Sequence, residues 1–161
     1  MSFEQVFSFP LAINEKAART VAAVVAVVGL VAVATGWLWL ALPLAYGFWA
    51  RVLTGPTLSP LGRLASSVVA PRYLGTPKWV AGPPKRFAQA MGAGFTTGAS
   101  IAWIAGADGV ATVLLALLVV AATLEAAFAL CLGCKVFAGL MRVGLVPQSV
   151  CEACAAPARA G

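Results

Sequence analysis

The sequence predicts an all-α integral membrane protein: four transmembrane helices as two hairpins, a cytoplasmic amphipathic helix and a cysteine-rich C-terminal cap. Three observations carry this reading. Hydrophobic residues make up 61% of the 161-residue chain and charged residues only 10%, against roughly 45–50% and about 25% in soluble domains. Four apolar stretches approach the ~20 residues that cross ~30 Å of hydrocarbon. The basic residues gather in three segments that four spans place on one side of a bilayer.

Residues 1–16 read as an N-terminal interfacial segment, with Phe3, Phe7 and Phe9 at the membrane surface. They do not read as a signal peptide, because Glu4 and Glu15 interrupt them and a basic n-region is missing. Asn14 is the expected N-cap of the first helix.

Residues 17–130 form the predicted membrane domain. The first span runs from Thr20 to Ala34, and Thr35-Gly36 separate it from the second, Trp37 to Leu53. The third runs from Phe87 to Ala105, and Gly106-Ala107-Asp108-Gly109 separate it from the fourth, Val110 to Leu130. Strands fit poorly, since the runs lack the period-two alternation of a membrane barrel. Pro43 lies inside the second span and is expected to kink it. Ala90, Gly94, Gly98 and Ala102 recur every four positions along the third span, a spacing that lets helices approach closely. That stripe reads first as internal packing and second as a route to an oligomer.

The central loop, residues 54–86, holds six of the ten prolines. Within it Ser59-Pro60 read as N-cap and first helical position. Leu61, Leu64, Ala65, Val68 and Val69 then follow at helical spacing until Pro71. This predicts a short amphipathic helix on the cytoplasmic interface.

The net charge is +6, and its distribution explains it. Lys16, Arg19, Arg63, Arg72, Lys78, Lys85, Arg86, Lys135, Arg142 and Arg159 fall in the N-terminal segment, the central loop or the tail, and Arg51 lies near the loop end of the second span. The two hairpin turns carry no basic residue. Both termini are therefore expected in the cytoplasm, with the chain a multi-pass protein of the bacterial inner membrane. A nucleic-acid partner is not needed to account for the charge. The chain contains no histidine, which excludes catalytic His dyads and triads and any His-containing metal site.

The chemistry lies in residues 131–161. Cys131-Leu132-Gly133-Cys134 and Cys151-Glu152-Ala153-Cys154 are two C-x-x-C pairs. In a reducing compartment they are not expected to form a permanent disulfide. Two readings stand. The spacing suits a tetrahedral four-thiolate zinc site that ties the tail to the fourth helix. It equally suits dithiol exchange or sulfur relay through thiolate attack. An iron–sulfur cluster needs the same ligand count. Lys135 beside the first pair favours a thiolate, as does a helix beginning near Gly133. A fourth helix running unbroken through Cys134 opposes one.

Glu125 is ionisable at depth in the fourth span, which is expensive without a partner. It is either a proton acceptor serving the cysteines or the partner of Arg51, which lies at similar depth. Gln89 is placed to join either network. Only these three side chains are polar at depth, too few to line a transport pathway.

Three runs are distinctive: Phe48-Trp49-Ala50-Arg51-Val52-Leu53-Thr54-Gly55-Pro56-Thr57-Leu58-Ser59-Pro60, Gly82-Pro83-Pro84-Lys85-Arg86-Phe87-Ala88-Gln89, and Cys131-Leu132-Gly133-Cys134-Lys135-Val136-Phe137. Together they resemble a bacterial membrane family defined as domain of unknown function 4395, over nearly the whole chain. The resemblance implies a small four-helix membrane protein with thioredoxin-like and sulfurtransferase neighbours. The leading expectation is thus a membrane-anchored dithiol protein serving such a partner. The alternative is a non-enzymatic scaffold whose cysteines bind a structural zinc ion.

Overall fold

The computed structural model describes residues 12–147 and 149. Cys151, Cys154 and Arg159 lie outside the described residues, as do Phe3, Phe7 and Phe9. The described chain is mostly helical. It opens with a three-residue strand, β1 (Ala12–Asn14), followed by helix α1 (Glu15–Thr35). Asn14 caps α1 as expected, its Oδ1 accepting from the Lys16 N–H at 3.1 Å. Ala17, Val21, Val25, Gly29 and Ala32 form its buried stripe. Gly36 ends the helix in the left-handed region at φ 73°, which glycine adopts without a Cβ penalty.

A 3₁₀ turn (Leu38–Leu40) leads into α2 (Ala41–Thr54). Pro43 sits in the first turn of α2 rather than mid-span, where its missing N–H removes no helical hydrogen bond. The central loop carries α3 (Pro60–Leu64), a π turn (Ala65–Val69) and α4 (Ala70–Tyr73). Ser59 caps α3 through Gly62 N–H at 3.2 Å. The run does not stop at Pro71 as expected. It passes into the first turn of α4, because the wider π turn relieves the ladder where proline has no N–H to donate. Leu64, expected on the apolar face, is exposed.

Strand β2 (Trp79–Ala81) pairs antiparallel with β1, with Ile13 opposite Val80. The sequence reading contains no such pair. It joins the start of α1 to the start of α5 (Gly82–Ile104). α5 begins five residues ahead of the expected Phe87, with prolines in its first turn, where they suit a helix start. After Gly106, at φ 77°, α6 (Asp108–Phe128) returns, burying Ala111, Leu115, Leu118 and Ala122. α7 (Leu132–Arg142) follows a short break.

The helices pack in the order α1, α6, α5, α2. The arms of the first hairpin therefore lie along the second hairpin instead of along each other. Small residues set the spacing. A Cβ at Gly29 would stand 2.7 Å from Val119 Cγ2, and one at Gly92 would overlap the Phe48 ring. The buried face of α5 comprises Gly92, Ala93, Thr96, Ala99 and Ser100. Of the expected stripe, Gly98 meets Leu114, while Ala90 and Gly94 are exposed.

Two helices, Glu15–Thr35 and Asp108–Phe128, are long and apolar enough to cross a membrane; Leu38–Thr54 is apolar but shorter. Large apolar side chains face outward on all four bundle helices, including Val27, Tyr46, Ile101 and Val120.

Candidate functional site

The break between α6 and α7 creates the site. Ala129 adopts φ 56°, making it the one non-glycine residue with positive φ among the described residues. It ends α6, its N–H bonding to Glu125 O at 3.1 Å. The chain turns there and starts again at Leu132, so Cys131 is the N-cap of α7. Its sulfur accepts the Cys134 N–H at 3.4 Å. Of the two expected courses for this segment, the structure takes the one in which a new helix points its N-terminus at Cys131, an arrangement that favours a thiolate.

Packing fixes that N-terminus. A Cβ at Gly133 would lie 2.5 Å from Ala88 Cα on α5, so only glycine permits the approach. One turn on, Phe137 meets Phe87 in a tilted ring pair, with centroids 5.7 Å apart and planes at 52°. Cys131 is buried and Cys134 half-buried, and both are free thiols.

The two thiols are unequal. Cys131 is pulled down from 9.0 to about 7, first because the Cys134 thiol donates a hydrogen bond to it. Burial and Glu125 oppose this, while Lys85 and the Cys134 N–H assist it. Cys134 is pushed up by donating that bond, by burial and by the charge on Cys131. The cation acting on Cys131 is Lys85, from α5; Lys135 is exposed.

Lys85 is also the partner of Glu125. Its Nζ lies 2.5 Å from Glu125 Oε1, with side chains only 8% and 14% exposed. The expected Arg51–Glu125 pair does not form. Arg51 instead donates through Nε to Gln89 Oε1 at 2.8 Å and through Nη1 to Ser59 Oγ at 3.2 Å. Its guanidinium also lies 4.6 Å from the Phe48 ring centroid. Arg51 thereby joins α2 to α5 and the loop, and Gln89 enters that network. Lys85 as the partner was hidden by its place directly after Pro83-Pro84, which reads as loop.

Other charges close the same end of the bundle. Arg19 reaches across from α1 to the last turn of α6, donating to Ala126 O at 2.8 Å and Ala127 O at 3.2 Å. Lys16 Nζ donates to Leu74 O at 2.5 Å. Glu15 Oε2 stands 2.7 Å from Lys78 Nζ, in ionic contact without hydrogen-bond alignment.

Cys131 lines two spaces. An outward pocket of about 400 Å³ holds both thiols with Lys85, Lys135 and Glu15 at its walls. A second pocket, of about 230 Å³, lies within the bundle and contains Cys131 but not Cys134. Among the described residues no three His, Cys, Asp or Glu side chains form a group that could hold a metal ion.

No curated protein and no solved structure matches the chain. A family model does, over residues 13–142, the span from the first strand to the end of α7. The chain is a member of the family described as domain of unknown function (DUF4395).

Proposed function

We propose that this protein is a membrane-anchored dithiol protein that exchanges disulfides with a thioredoxin-like partner through Cys131 and Cys134. The observation that carries the reading is the C-x-x-C pair at a helix start, with one thiol an N-cap and lowered to about 7. Such a pair divides the labour of exchange. The Cys131 thiolate attacks one sulfur of the partner's disulfide and releases the partner's other sulfur as a thiolate. Cys134 then loses its proton and attacks Cys131 sulfur, forming the Cys131–Cys134 disulfide and freeing the reduced partner. Glu125, held by Lys85, is the proton acceptor in this scheme. Cys151 and Cys154, as a dithiol, attack the Cys131–Cys134 disulfide and return it to two thiols, becoming the disulfide themselves. Taking sulfane sulfur from a sulfurtransferase uses the same nucleophile, the Cys131 thiolate attacking the outer sulfur of the donor's persulfide and the donor's thiolate leaving.

The protein crosses the bilayer four times, by α1, α2, α5 and α6, with both termini and the cysteines in the cytoplasm. The outward apolar side chains on all four helices support this, as does the basic end where α1 begins and α6 finishes.

Full-length protein, purified in detergent without oxygen, tests the reading by free-thiol count and metal content. Thiols that cycle reversibly between two and four, without metal, are expected. One zinc per chain with four protected thiols overturns exchange in favour of a zinc-stabilised scaffold. In intact cells, rapid labelling of the cysteines by an impermeant thiol reagent overturns the topology.

A further inference from the structure

The pocket within the bundle is a second approach to the dithiol, and it differs in kind from the outward one. Phe48, Phe95 and Leu118 are among its walls. Its polar side chains are Gln89 and Glu125, both close to the cysteine end, and Cys131 forms part of that end. It reaches the outer face of the bundle at Leu117, Val120 and Leu132, all exposed. A cavity of about 150 Å³ with apolar walls holds a benzene ring, so about 230 Å³ admits a substituted ring.

We infer that this pocket takes the ring of a lipid-soluble quinone, which enters sideways from the bilayer and oxidises the Cys131–Cys134 dithiol. The inference rests on the dithiol reading above, runs its partner exchange in the opposite, oxidising direction, and names the oxidant as the second substrate. The chemistry selects the class. A dithiol becoming a disulfide gives up two electrons and two protons together. A quinone takes up both as it becomes a hydroquinone, and both forms dissolve in lipid. Cys131 sulfur adds to the quinone ring; Cys134 sulfur then attacks Cys131, the bond from sulfur to ring breaks, and its electron pair stays with the ring. The S–S bond has formed, and the two thiol protons reach the two ring oxygens, with Gln89 and Glu125 the polar side chains at that end of the pocket. A reduced dithiol partner in the outward pocket attacks Cys131 sulfur and expels Cys134 as a thiolate; the partner's second thiol then attacks its own bridged sulfur and expels Cys131, leaving the partner as a disulfide and both cysteines reduced for the next quinone. Cys131 faces both spaces and Cys134 only the outer one, which is the division this cycle requires.

The test uses the full chain carrying Cys151→Ser and Cys154→Ser, reduced, freed of reductant and held in phosphatidylcholine vesicles without oxygen. One sample receives decylubiquinone and another glutathione disulfide. Loss of two thiols for each quinone reduced is expected. Ala121→Phe, which fills the pocket, and Val120→Trp, which blocks its mouth, should each slow the quinone reaction about tenfold, a barrier change of about 1.4 kcal/mol, while the glutathione reaction changes less than about twofold. Oxidation by glutathione disulfide but not by the quinone overturns this inference and leaves the dithiol reading standing. Oxidation by neither overturns the dithiol reading itself. Equal slowing of both reactions by both variants overturns the pocket as the route.

Discussion

The two ends of the bundle reverse the chain by different means. At one end, Gly36 and Gly106 turn the backbone in the left-handed region, with open space around each. No buried charge lies near either turn among the described residues. At the other end, α6 turns at Ala129, an alanine in a conformation that costs L-residues roughly 1–2 kcal/mol. Arg19 holds the carbonyls that this break exposes, and buried Lys85 pairs beside it with half-buried Glu125. The first end is built only to fold. The second carries strain and buried charge around two thiols, the combination expected where geometry serves chemistry.

The contrast can be broken most severely at Cys131. Cys131→Ser should abolish exchange with a small disulfide such as glutathione disulfide, while Cys134→Ser should trap the mixed disulfide, visible by mass. A thiol that reacts at full rate after Cys131→Ser would make the second end as inert as the first.

pH gives the next largest effect. Exchange should fall about tenfold per pH unit below about 7, because only the thiolate attacks. Ultraviolet thiolate absorption, compared between the parent and Cys131→Ser, measures that midpoint. Stability follows with a definite sign. The folded state holds Cys131 below its ordinary 9.0, so its contribution is lost as pH falls from 9 towards 7, while Cys134, held above its ordinary range, takes stability away above about 9.

Glu125→Gln leaves the Lys85 ammonium buried without its counter-ion and should cost about 3 kcal/mol in denaturant unfolding. Gly133→Ala forces α7 off Ala88 and should cost about 2 kcal/mol, with slower exchange. The smallest effects compare the two kinds of turn directly. Ala129→Gly should raise the unfolding free energy by about 0.5–1 kcal/mol, whereas Gly36→Ala should lower it by a similar amount. Equal effects of one sign would mean that the ends do not differ in strain.

Much of this architecture was legible from local signals. Four helices lie where the apolar runs stand, and Asn14, Ser59, Gly36 and Gly106 mark ends through capping or glycine chemistry that acts within a few residues. What escaped the reading depends on distance or on breaking a local rule. β1 and β2 are three residues each and pair across the whole first hairpin and loop, so neither carries a pattern of its own. Ala129 ends a helix without glycine or proline to announce it. The carboxylate Glu125 was recognisable as costly, but depth alone suggested Arg51, and only the early start of α5 brings Lys85 to it. The four cysteines were the clearest chemical signal, yet the inequality of Cys131 and Cys134 comes from a helix start that the sequence left open.

One contact has a temporal consequence. Arg19 and the carbonyl of Ala126 are 107 residues apart, and chains are made from the N-terminus. The clasp that steadies the base of the cysteine turn therefore waits until most of the polypeptide has been synthesised. Cys131 and Cys134 take up this geometry late in biogenesis, once the first helix has met the last part of the bundle.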